Sequence, residues 1–425
     1  MNIERLRLPD LREPGNTDKE SYIRALYRVA LQRDPDPNAL TRFLARDDIN
    51  KFFPEILSSA EFRKLARSPA YAATRALASP DRPRVLLFGA YGNGNLGDAI
   101  QASSLARAIN FLRPEIEVWA CSALPAPYPF AHQLTLQPDD ILVPAIVNSF
   151  DLLVIGGGGL LSHPHDPLTD PKWQTMLQVP VALIGVGAAE PVAREAEILI
   201  RKAIYVSGRD NHSIATLRKF AREPAFVPDP VLCDASYLNQ HEEDACSRQS
   251  SERKLWVLKY VNTEDFWALC ADLSNGDDTV CFVEPHIDIR LIEYLPNARP
   301  IYFVEELISM IDHADLVFSM RYHGCILAML RGKRVFGLRE HKCFELLARY
   351  GNKRSFSTSV TGEINEGVEY FLPTNYLSED RKIFLHELSK ALHLIYPREY
   401  RDWKPHAEEC HEIGLMEIDP KQRKI

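Results

Sequence analysis

The spacing of hydrophobic residues along the chain changes near Arg84. Before this residue, apolar side chains recur at intervals of three and four, as in residues 21–32, which is the period of an amphipathic helix. After it, short apolar runs alternate with helical stretches, a pattern typical of parallel sheets covered by helices. The sequence therefore predicts an α/β protein that carries a small N-terminal all-helical domain.

The apolar runs of the α/β part fall into two sets, separated by the polar stretch 239–253. Two such sets predict two doubly wound Rossmann-like domains that face one another across a cleft, in a GT-B-like arrangement. A helix at 379–394 is expected to cross back and close the pair. The strands are predicted at residues 85–88, 116–120, 152–155, 181–184 and 203–206 in the first set, and at 255–258, 279–283, 301–303, 316–318 and 334–336 in the second.

The predicted domain boundaries follow these changes of pattern. The segment before the first strand is rich in alanine, proline and small polar residues, as a linker would be. The predicted division is a helical module at 1–66, a linker at 67–83, Rossmann-like domains at 84–240 and 241–378, and a C-terminal helix and tail at 379–425.

Composition and charge narrow the classes of function. The 425 residues are 46% hydrophobic and 25% charged, and the net charge of -8 makes broad binding to nucleic acid unfavourable. No run approaches the roughly 20 apolar residues that span a bilayer, and the N-terminus has no apolar signal-peptide core. The eight cysteines form no Cys-x-x-Cys pair, so no metal site is expected. We expect a cytoplasmic protein, either free or peripheral at the inner face of the membrane.

Gly92-Asn93-Gly94-Asn95-Leu96-Gly97 matches a dinucleotide-binding pattern, since it follows a predicted strand and opens a helix. Such a site also needs an acidic residue at the end of the second strand, where this chain has Cys121-Ser122-Ala123. The dinucleotide interpretation is therefore rejected. A tight structural turn and a ligand-lining loop remain as alternatives, and the second makes Asn95, Gly97 and Asp98 candidate binding residues.

A second glycine-rich loop, Gly156-Gly157-Gly158-Gly159, follows the apolar run 152–155. Ordering four glycines on folding has a large entropic cost. Such a run is therefore expected where the backbone must adopt unusual angles or lie against a ligand. In open α/β sheets, ligands bind at this end of the strands. Gly157, Gly158 and Gly159 are therefore candidate binding residues.

An arginine and a histidine follow the strand at 316–318, in Ser319-Met320-Arg321-Tyr322-His323-Gly324. In an extended backbone Arg321 and His323 would share one side, with Tyr322 on the other. A guanidinium binds carboxylate or phosphate through paired hydrogen bonds, and an imidazole can transfer a proton near neutral pH. The structural alternative is a capping histidine and a surface arginine.

Other charged residues follow further predicted strands. Arg209 and Asp210 form either a local salt bridge or part of an anion site. Lys342 would add positive charge to the same rim, and Glu284 and His286 are weaker candidates at another strand end.

Six motifs follow one another along the chain: Gly94-Asn95-Leu96-Gly97-Asp98, the tetraglycine loop, Gly185-Val186-Gly187, Ser207-Gly208-Arg209-Asp210, Asp229-Pro230 and Ser319-Met320-Arg321-Tyr322-His323-Gly324. In this order they resemble the motifs of the polysaccharide pyruvyl transferases, over residues 83–352.

Residues 27–62 resemble a small helical module of the DUF4214 type, which occurs beside glycan-processing domains. The alternative is a helical bundle without chemistry.

The resemblance implies a transferase that uses phosphoenolpyruvate as donor, needs no cofactor or metal, and builds a pyruvate ketal on a sugar. Arg321, His323 and Gly324 match the family's donor-site motif, with Tyr322 in place of the usual leucine, and Arg209 matches the arginine of its Arg-Asp motif. Arg209 and Arg321 would hold the donor, His323 would transfer the proton, and Lys342 matches a family lysine. Tyr322 would alter the fit of the acceptor.

The acceptor is expected to be a sugar of an exopolysaccharide or its precursor, either free or as a lipid-linked oligosaccharide. Residues 1–66 would offer a docking surface for a glycan-assembly protein. Two other functions remain open at this stage. One is a GT-B-type nucleotide-sugar glycosyltransferase, and the other is a catalytically silent binding protein in glycan assembly.

Overall fold

The computed structural model describes residues 34–46, 83–121, 134–136, 150–165, 167–238, 252–350, 356–357 and 374–394, with isolated positions among 20–27, 55–61 and 141–148. Most of the predicted helical module, and the predicted linker apart from Pro83, lie outside these residues. The described part of the module includes one helix, Pro37–Leu44, which Asp36 caps and whose Phe43 is buried. The predicted domain boundaries stay predictions.

Seven parallel strands form the first sheet, in the order β3-β2-β1-β4-β5-β6-β7. The central strands are buried on both faces, which explains why they appear in the sequence as continuous apolar runs. The strands are β1 (Arg84–Phe88), β2 (Glu117–Cys121), β3 (Leu134–Leu136), β4 (Leu152–Gly156), β5 (Val181–Val186), β6 (Tyr205–Gly208) and β7 (Ala225–Phe226).

Six parallel strands form the second sheet, in the order β10-β9-β8-β11-β12-β13. They are β8 (Lys254–Val257), β9 (Thr279–Phe282), β10 (Arg299–Pro300), β11 (Leu316–Ser319), β12 (Arg334–Leu338) and β13 (Phe356–Ser357). The two parallel sheets confirm the predicted fold class.

The described helices, apart from the first and the last, lie between strands in chain order. They are α1 (Pro37–Leu44), α2 (Leu96–Leu112), α3 (Pro144–Val147), α4 (Pro171–Met176), α5 (Val192–Glu195), α6 (Glu197–Lys202), α7 (Asn211–Leu217), α8 (Glu264–Ser274), α9 (Pro285–Asp288), α10 (Leu291–Tyr294), α11 (Val304–His313), α12 (Tyr322–Leu330), α13 (His341–Arg349) and α14 (Thr374–His393). Short 3₁₀ helices occupy Pro230–Cys233 and Ala235–Tyr237. In the described part of the chain, no helix has the length and apolar character needed to cross a membrane.

Two local predictions need correction. The strand expected at 301–303 is wrong, because β10 ends at Pro300 and Phe303 already caps α11. The helix expected from Cys325 begins three residues earlier, at Tyr322, so the chain leaves the extended conformation directly after Arg321.

Both sheets reverse their strand order at a central pair of strands, β1 and β4 in the first sheet and β8 and β11 in the second. The loops that leave such a pair diverge to opposite faces and leave a crevice at the carboxyl ends of the strands. The crevices adjoin, because the backbone N–H of Leu96, at the start of α2, donates to the carbonyl of Val283 after β9 at 3.1 Å. One hydrophobic cluster contains residues of both sheets, so the two halves share a core beneath this junction.

The C-terminal helix α14 contacts both halves. Its Glu387 accepts a hydrogen bond from the Tyr205 hydroxyl at 2.6 Å, and its Asp380 carbonyl lies 3.7 Å from the Cys233 thiol. The Asp380 carboxylate binds Arg349 at the end of α13. The helix therefore crosses back over the first half, as the sequence predicted.

Candidate active site

His323 lies in the first turn of α12 and points across the junction towards the first sheet. Its Nε2 atom is 3.4 Å from Oδ2 of Asp229, a carboxylate that is completely buried. Gln101 donates to the same oxygen at 2.6 Å, and the backbone N–H of Val231 donates to Oδ1 at 3.0 Å. Asp229 is therefore fixed on two sides and can orient the imidazole.

Burial alone would raise the pKa of Asp229, but the facing His323 and the guanidinium of Arg209 outweigh it and hold that pKa below its ordinary value. The carboxylate therefore stays charged at neutral pH. A carboxylate beside an imidazole fixes the orientation of the ring, and this arrangement suits a histidine that accepts and returns a proton.

The main chain of the first half approaches the imidazole at Gly97. A Cβ atom added there would lie 2.1 Å from Nδ1 of His323, so only glycine leaves room for the ring. Asn95 caps α2 by accepting the Gly97 N–H at 2.9 Å, which fixes this turn against the histidine. The predicted glycine loop therefore contacts a candidate catalytic group.

Asp98 is partly buried beside the same ring. Its carboxylate accepts a hydrogen bond from the Asn93 amide at 3.2 Å. Desolvation raises the pKa of Asp98, and the interactions with His323, Asn93 and Arg209 only partly oppose this shift. The site therefore places two carboxyl groups with opposite pKa shifts, Asp98 and Asp229, next to one histidine, an arrangement that occurs where protons are moved.

The tetraglycine loop supports the same group of residues. Gly157 and Gly158 have φ angles of 75° and 67°, in the left-handed region that favours glycine. A Cβ atom at Gly157 would come within 2.8 Å of the Gln101 side chain, which holds Asp229. Gly159, by contrast, lies closest to Ser162 and His163. Much of this glycine content therefore serves the packing of Gln101.

Arg209 follows β6 at the rim of the first sheet, and its side chain is only 9% exposed. Its nearest carboxylates are Asp210, with Oδ2 3.7 Å from Nε, and Asp229, with Oδ2 4.0 Å from Nη1. The guanidinium stacks on the Tyr322 ring at 5.0 Å, and its Nε is buried without a hydrogen-bond partner. A guanidinium has five N–H donors, so Arg209 keeps donors available for an anion.

Arg321 has the opposite environment. Its Nη1 donates to Glu284 at 2.5 Å, and its Nη2 donates to Asp288, which is fully buried. The predicted extended backbone across Arg321 and His323 is wrong, because α12 starts between them and the two side chains contact different partners. Arg321 therefore joins the loops after β9 and β11, whereas His323 contacts the first sheet.

Two lysines and a carboxylate occupy the rim of the second sheet. Lys259 donates to Glu340 at 3.0 Å, and the Lys342 ammonium is 3.9 Å from the other oxygen of Glu340. The Lys342 side chain is partly exposed, yet the surrounding protein lowers its pKa; nearby Arg209 acts in the same direction and Glu340 opposes it. Burial would raise the pKa of Glu340, but the two lysines hold it below its ordinary value.

The structure thus brings several predicted residues together around the junction, namely Asn95, Gly97, Asp98, Arg209, Tyr322 and His323. Arg209, Tyr322 and Lys342 also line one cavity of about 460 Å³. Gly324 has a structural role, because a Cβ there would lie 2.3 Å from the Ser319 hydroxyl. Glu284 is bound to Arg321, and the side chain of His286 lies outside the described residues.

Three residues of the site were not among the sequence-based candidates. Asp229 follows β7 and was quoted only within a motif, although its position at a strand end was the available signal. Asp288 lies one helical turn after Glu284, a spacing that indicates a shared face. Gln101 gave no signal, since its partner is 128 residues away. Among the described residues, no group of His, Cys, Asp and Glu is arranged to hold a metal ion.

Solved structures with a similar chain trace include an epimerase and a protein bound to UDP and glucose. The Methanocaldococcus jannaschii UDP-GlcNAc 2-epimerase in complex with UDP-GlcNAc and UDP is 13% identical, with a TM-score of 0.48 over 73% of this chain and 99% of its own. Anabaena HepE, in complex with UDP and glucose, is 14% identical, with a TM-score of 0.46 over 74% and 95%. These similarities are too distant to carry an argument about function.

Sequence comparison identifies the family. No curated protein matches the chain. The model of the polysaccharide pyruvyl transferases, however, matches residues 95–342, from the cap of α2 to the lysine after β12. This match confirms the resemblance drawn from the six motifs, whereas the resemblance of residues 27–62 to a helical module stays a prediction. Because the match covers more than half of its length, the chain belongs to the polysaccharide pyruvyl transferase family.

Proposed function

We propose that this protein transfers the enolpyruvyl group of phosphoenolpyruvate to a sugar of a polysaccharide or its precursor, forming a pyruvate ketal and releasing phosphate. The observation that carries the proposal is the pairing of a buried arginine that has free donors, Arg209, with a histidine held by a buried carboxylate, His323 on Asp229. An anionic donor whose reaction needs proton transfer requires both groups. Membership of the family supports the same reaction.

The donor carries a carboxylate and a phosphate, and Arg209 is the group best prepared to bind one of them. Its guanidinium is already desolvated and stacked on Tyr322, so little further ordering is needed when an anion arrives. Lys342 lines the same cavity and adds a second positive charge. Arg321 was also a predicted donor ligand, but a donor could reach it only by displacing Glu284 or Asp288. We therefore assign Arg321 to positioning.

The reaction can be written so that atoms and protons balance. The methylene carbon of the donor takes up a proton and becomes the methyl group, which leaves positive charge on the central carbon. A first sugar hydroxyl bonds to that carbon and loses its proton. A second hydroxyl then replaces phosphate as the bond between the central carbon and the phosphate oxygen breaks. One hydroxyl proton replaces the proton consumed at the methyl group, and the other leaves with phosphate.

His323 is the group we assign to these proton transfers. Placed beside the carboxylate of Asp229, it would deliver a proton to the methylene carbon and then recover one from the attacking hydroxyl. A positioned acid–base group contributes about 10²–10⁴-fold to the rate. Gly97 leaves the space that the ring occupies, because it has no side chain.

Ligand-induced stabilisation of the purified protein tests this proposal. A ligand at about 100 times its dissociation constant raises the unfolding free energy by about 2.7 kcal/mol, so thermal unfolding would be followed with phosphoenolpyruvate, with UDP-glucose and without ligand. We expect a shift with phosphoenolpyruvate that Arg209→Ala abolishes. A shift with UDP-glucose alone would overturn the proposal in favour of glycosyl transfer, and no shift with either ligand would favour a silent binding protein.

A further inference from the structure

A cavity of about 460 Å³ extends from the candidate site towards the C-terminal helix. It is large enough for a small ligand, since pockets that bind such molecules have volumes of about 300–1,000 Å³. Its lining includes Arg209, Asp229 and Tyr322 as well as Arg349 and Asp380. Several residues of α13, among them Lys342 and Glu345, also line it.

The carboxylates around this cavity outnumber its cations by one. The cationic side chains are Arg209, Lys342 and Arg349, and the carboxylates are those of Asp210, Asp229, Glu345 and Asp380. Arg349 is already occupied, because it binds the two oxygens of Asp380 at 3.1 and 2.5 Å. With Arg209 and Lys342 assigned to the donor, a second anion would meet the carboxylates of Asp210 and Glu345, so this part of the cavity favours a ligand that is polar but uncharged.

Aromatic rings also line the cavity. They belong to Phe226, Tyr322, Phe344 and Tyr350. Flat apolar faces together with carboxylate acceptors suit a saccharide, whose C–H faces pack on rings while its hydroxyls donate to carboxylates. Among the carboxylates of the cavity, Glu345 is the best placed to accept a hydrogen bond from a sugar hydroxyl. Its side chain is 29% exposed, and its ion pair with His341 is long, at 3.6 Å.

The position of the cavity relates it to the reaction. Asp229 is one of its lining residues, and the buried carboxylate of Asp229 lies 3.4 Å from the imidazole of His323. Arg209 lines the cavity as well, and Arg209 is the arginine we assign to the donor. A hydroxyl near these two residues would therefore lie close to the donor and to the residue that holds the proton-transfer group.

We propose that this cavity is the acceptor site and binds a neutral saccharide unit, with Glu345 as a hydrogen-bond acceptor that helps to select it. The inference rests on the proposed function and adds the location of the acceptor, its lack of charge, and a residue that determines specificity. It assigns the part of the cavity near Glu345 to the sugar and the part near Arg209 to the donor.

A steric block on α13 tests the inference. Ala348 is a partly buried lining residue that has no role in donor binding, and Ala348→Phe would fill the space, whereas Ala348→Ser would leave it open. Binding of the methyl glycosides of glucose, galactose, mannose and N-acetylglucosamine would be followed by saturation-transfer NMR. Stabilisation by phosphoenolpyruvate would be measured on the same samples.

We expect at least one glycoside to bind the wild type and Ala348→Ser but not Ala348→Phe, while phosphoenolpyruvate stabilises all three. Glu345→Gln, which keeps the shape and removes the charge, should weaken that glycoside about tenfold, because hydrogen bonds to charged groups exceed neutral ones. Equal glycoside binding by Ala348→Phe, or no glycoside binding to the wild type, would overturn the inference. If phosphoenolpyruvate does not stabilise the wild type, the proposed donor is overturned instead, and glycoside binding alone then decides whether the cavity is a saccharide site.

Discussion

Arg209 and Arg321 occupy equivalent places in the two halves of the molecule, each at the carboxyl end of a parallel strand. Both side chains are largely buried, at 9% and 13% exposure. Arg321 is neutralised by Glu284 and Asp288, whereas the guanidinium of Arg209 has no carboxylate closer than 3.7 Å. The same residue type at the same kind of position thus serves structure in the second sheet and remains available for a ligand in the first.

A position at a strand end lets an arginine reach a ligand site. The neighbouring side chains determine whether it binds a ligand or a carboxylate of the protein itself. A buried guanidinium with two carboxylates has its charge and most of its donors satisfied. One without them is unfavourable in the empty protein and gains most when an anion binds. The comparison predicts opposite consequences for removing the two arginines.

The largest effect is expected at Arg321. Arg321→Ala would leave Glu284 and Asp288 buried without their cation, and breaking such a pair from one side destabilises a protein by about 3–5 kcal/mol. Burial already raises the pKa of Asp288, with Arg321 opposing the shift, so loss of Arg321 would raise that pKa further. Urea unfolding of the two proteins would measure the loss of stability.

The control variant also removes the two negative charges that Arg321→Ala would leave unpaired. Arg321→Met combined with Glu284→Gln and Asp288→Asn should recover much of the stability that Arg321→Ala loses, since no unpaired charge remains buried. If Arg321→Ala unfolds like the wild type but no longer binds phosphoenolpyruvate, Arg321 is a donor ligand and the contrast between the two arginines fails.

A smaller effect, on rate rather than stability, is expected at the contact between the halves. Gly97→Ala would place a Cβ atom 2.1 Å from Nδ1 of His323 and force the ring to move. Misplacing a catalytic group by about 1 Å lowers turnover on the order of 100-fold, while donor binding at Arg209 should persist. Phosphate release and phosphoenolpyruvate binding would be measured side by side.

Gly276→Ala is the matched control, because its added Cβ would meet nothing closer than 3.8 Å and it lies away from the site. It should turn over like the wild type. Unchanged turnover in Gly97→Ala would show that His323 tolerates displacement and has no part in proton transfer.

Arg209 should behave as the reverse of Arg321. Arg209→Ala removes a guanidinium that makes long ion pairs with Asp210 and Asp229, so the unfolding free energy should change little. Affinity for phosphoenolpyruvate should fall by about 10- to 100-fold, the effect of losing a charge-assisted hydrogen bond of about 1.5–3 kcal/mol. Calorimetric titration measures the affinity, and Arg201→Ala, which removes an exposed arginine of α6, is the control. A large loss of stability in Arg209→Ala would contradict its assignment.

The central architecture could be predicted from the sequence because strands such as β4 and β11 are buried on both faces and appear as apolar runs. The edge strands β3, β7 and β13 contain only two or three residues, too few for a pattern. The candidate arginines and histidine were recognised from their places after strands. Their directions were not, because one helical turn starting at Tyr322 separates the side chains of Arg321 and His323.

The partners of these residues were harder to foresee than the residues themselves. Gln101 and Asp229 meet across 128 positions of the chain, and Arg321 meets Glu284 across 37. Such contacts depend on how the loops of both sheets pack, which a single sequence does not encode locally. The predicted site therefore had the correct central residues and lacked the carboxylates that give each one its role.

The smallest expected effect is a pH dependence of phosphoenolpyruvate affinity, which distinguishes Lys342 from Arg209 in the proposed donor site. Desolvation, assisted by Arg209 and opposed by Glu340, lowers the pKa of Lys342 below that of an ordinary lysine. The charge of Lys342 is present below that lowered pKa and is lost as the pH rises through it, so phosphoenolpyruvate affinity should weaken at alkaline pH before ordinary lysines titrate. Calorimetric titrations from about pH 7 to about pH 10 would record a decrease of several-fold, and Lys342→Arg should remove it because a guanidinium does not titrate in this range. The same alkaline decrease in Lys342→Arg would show that another group causes it, and donor binding would then depend on Arg209 without help from Lys342.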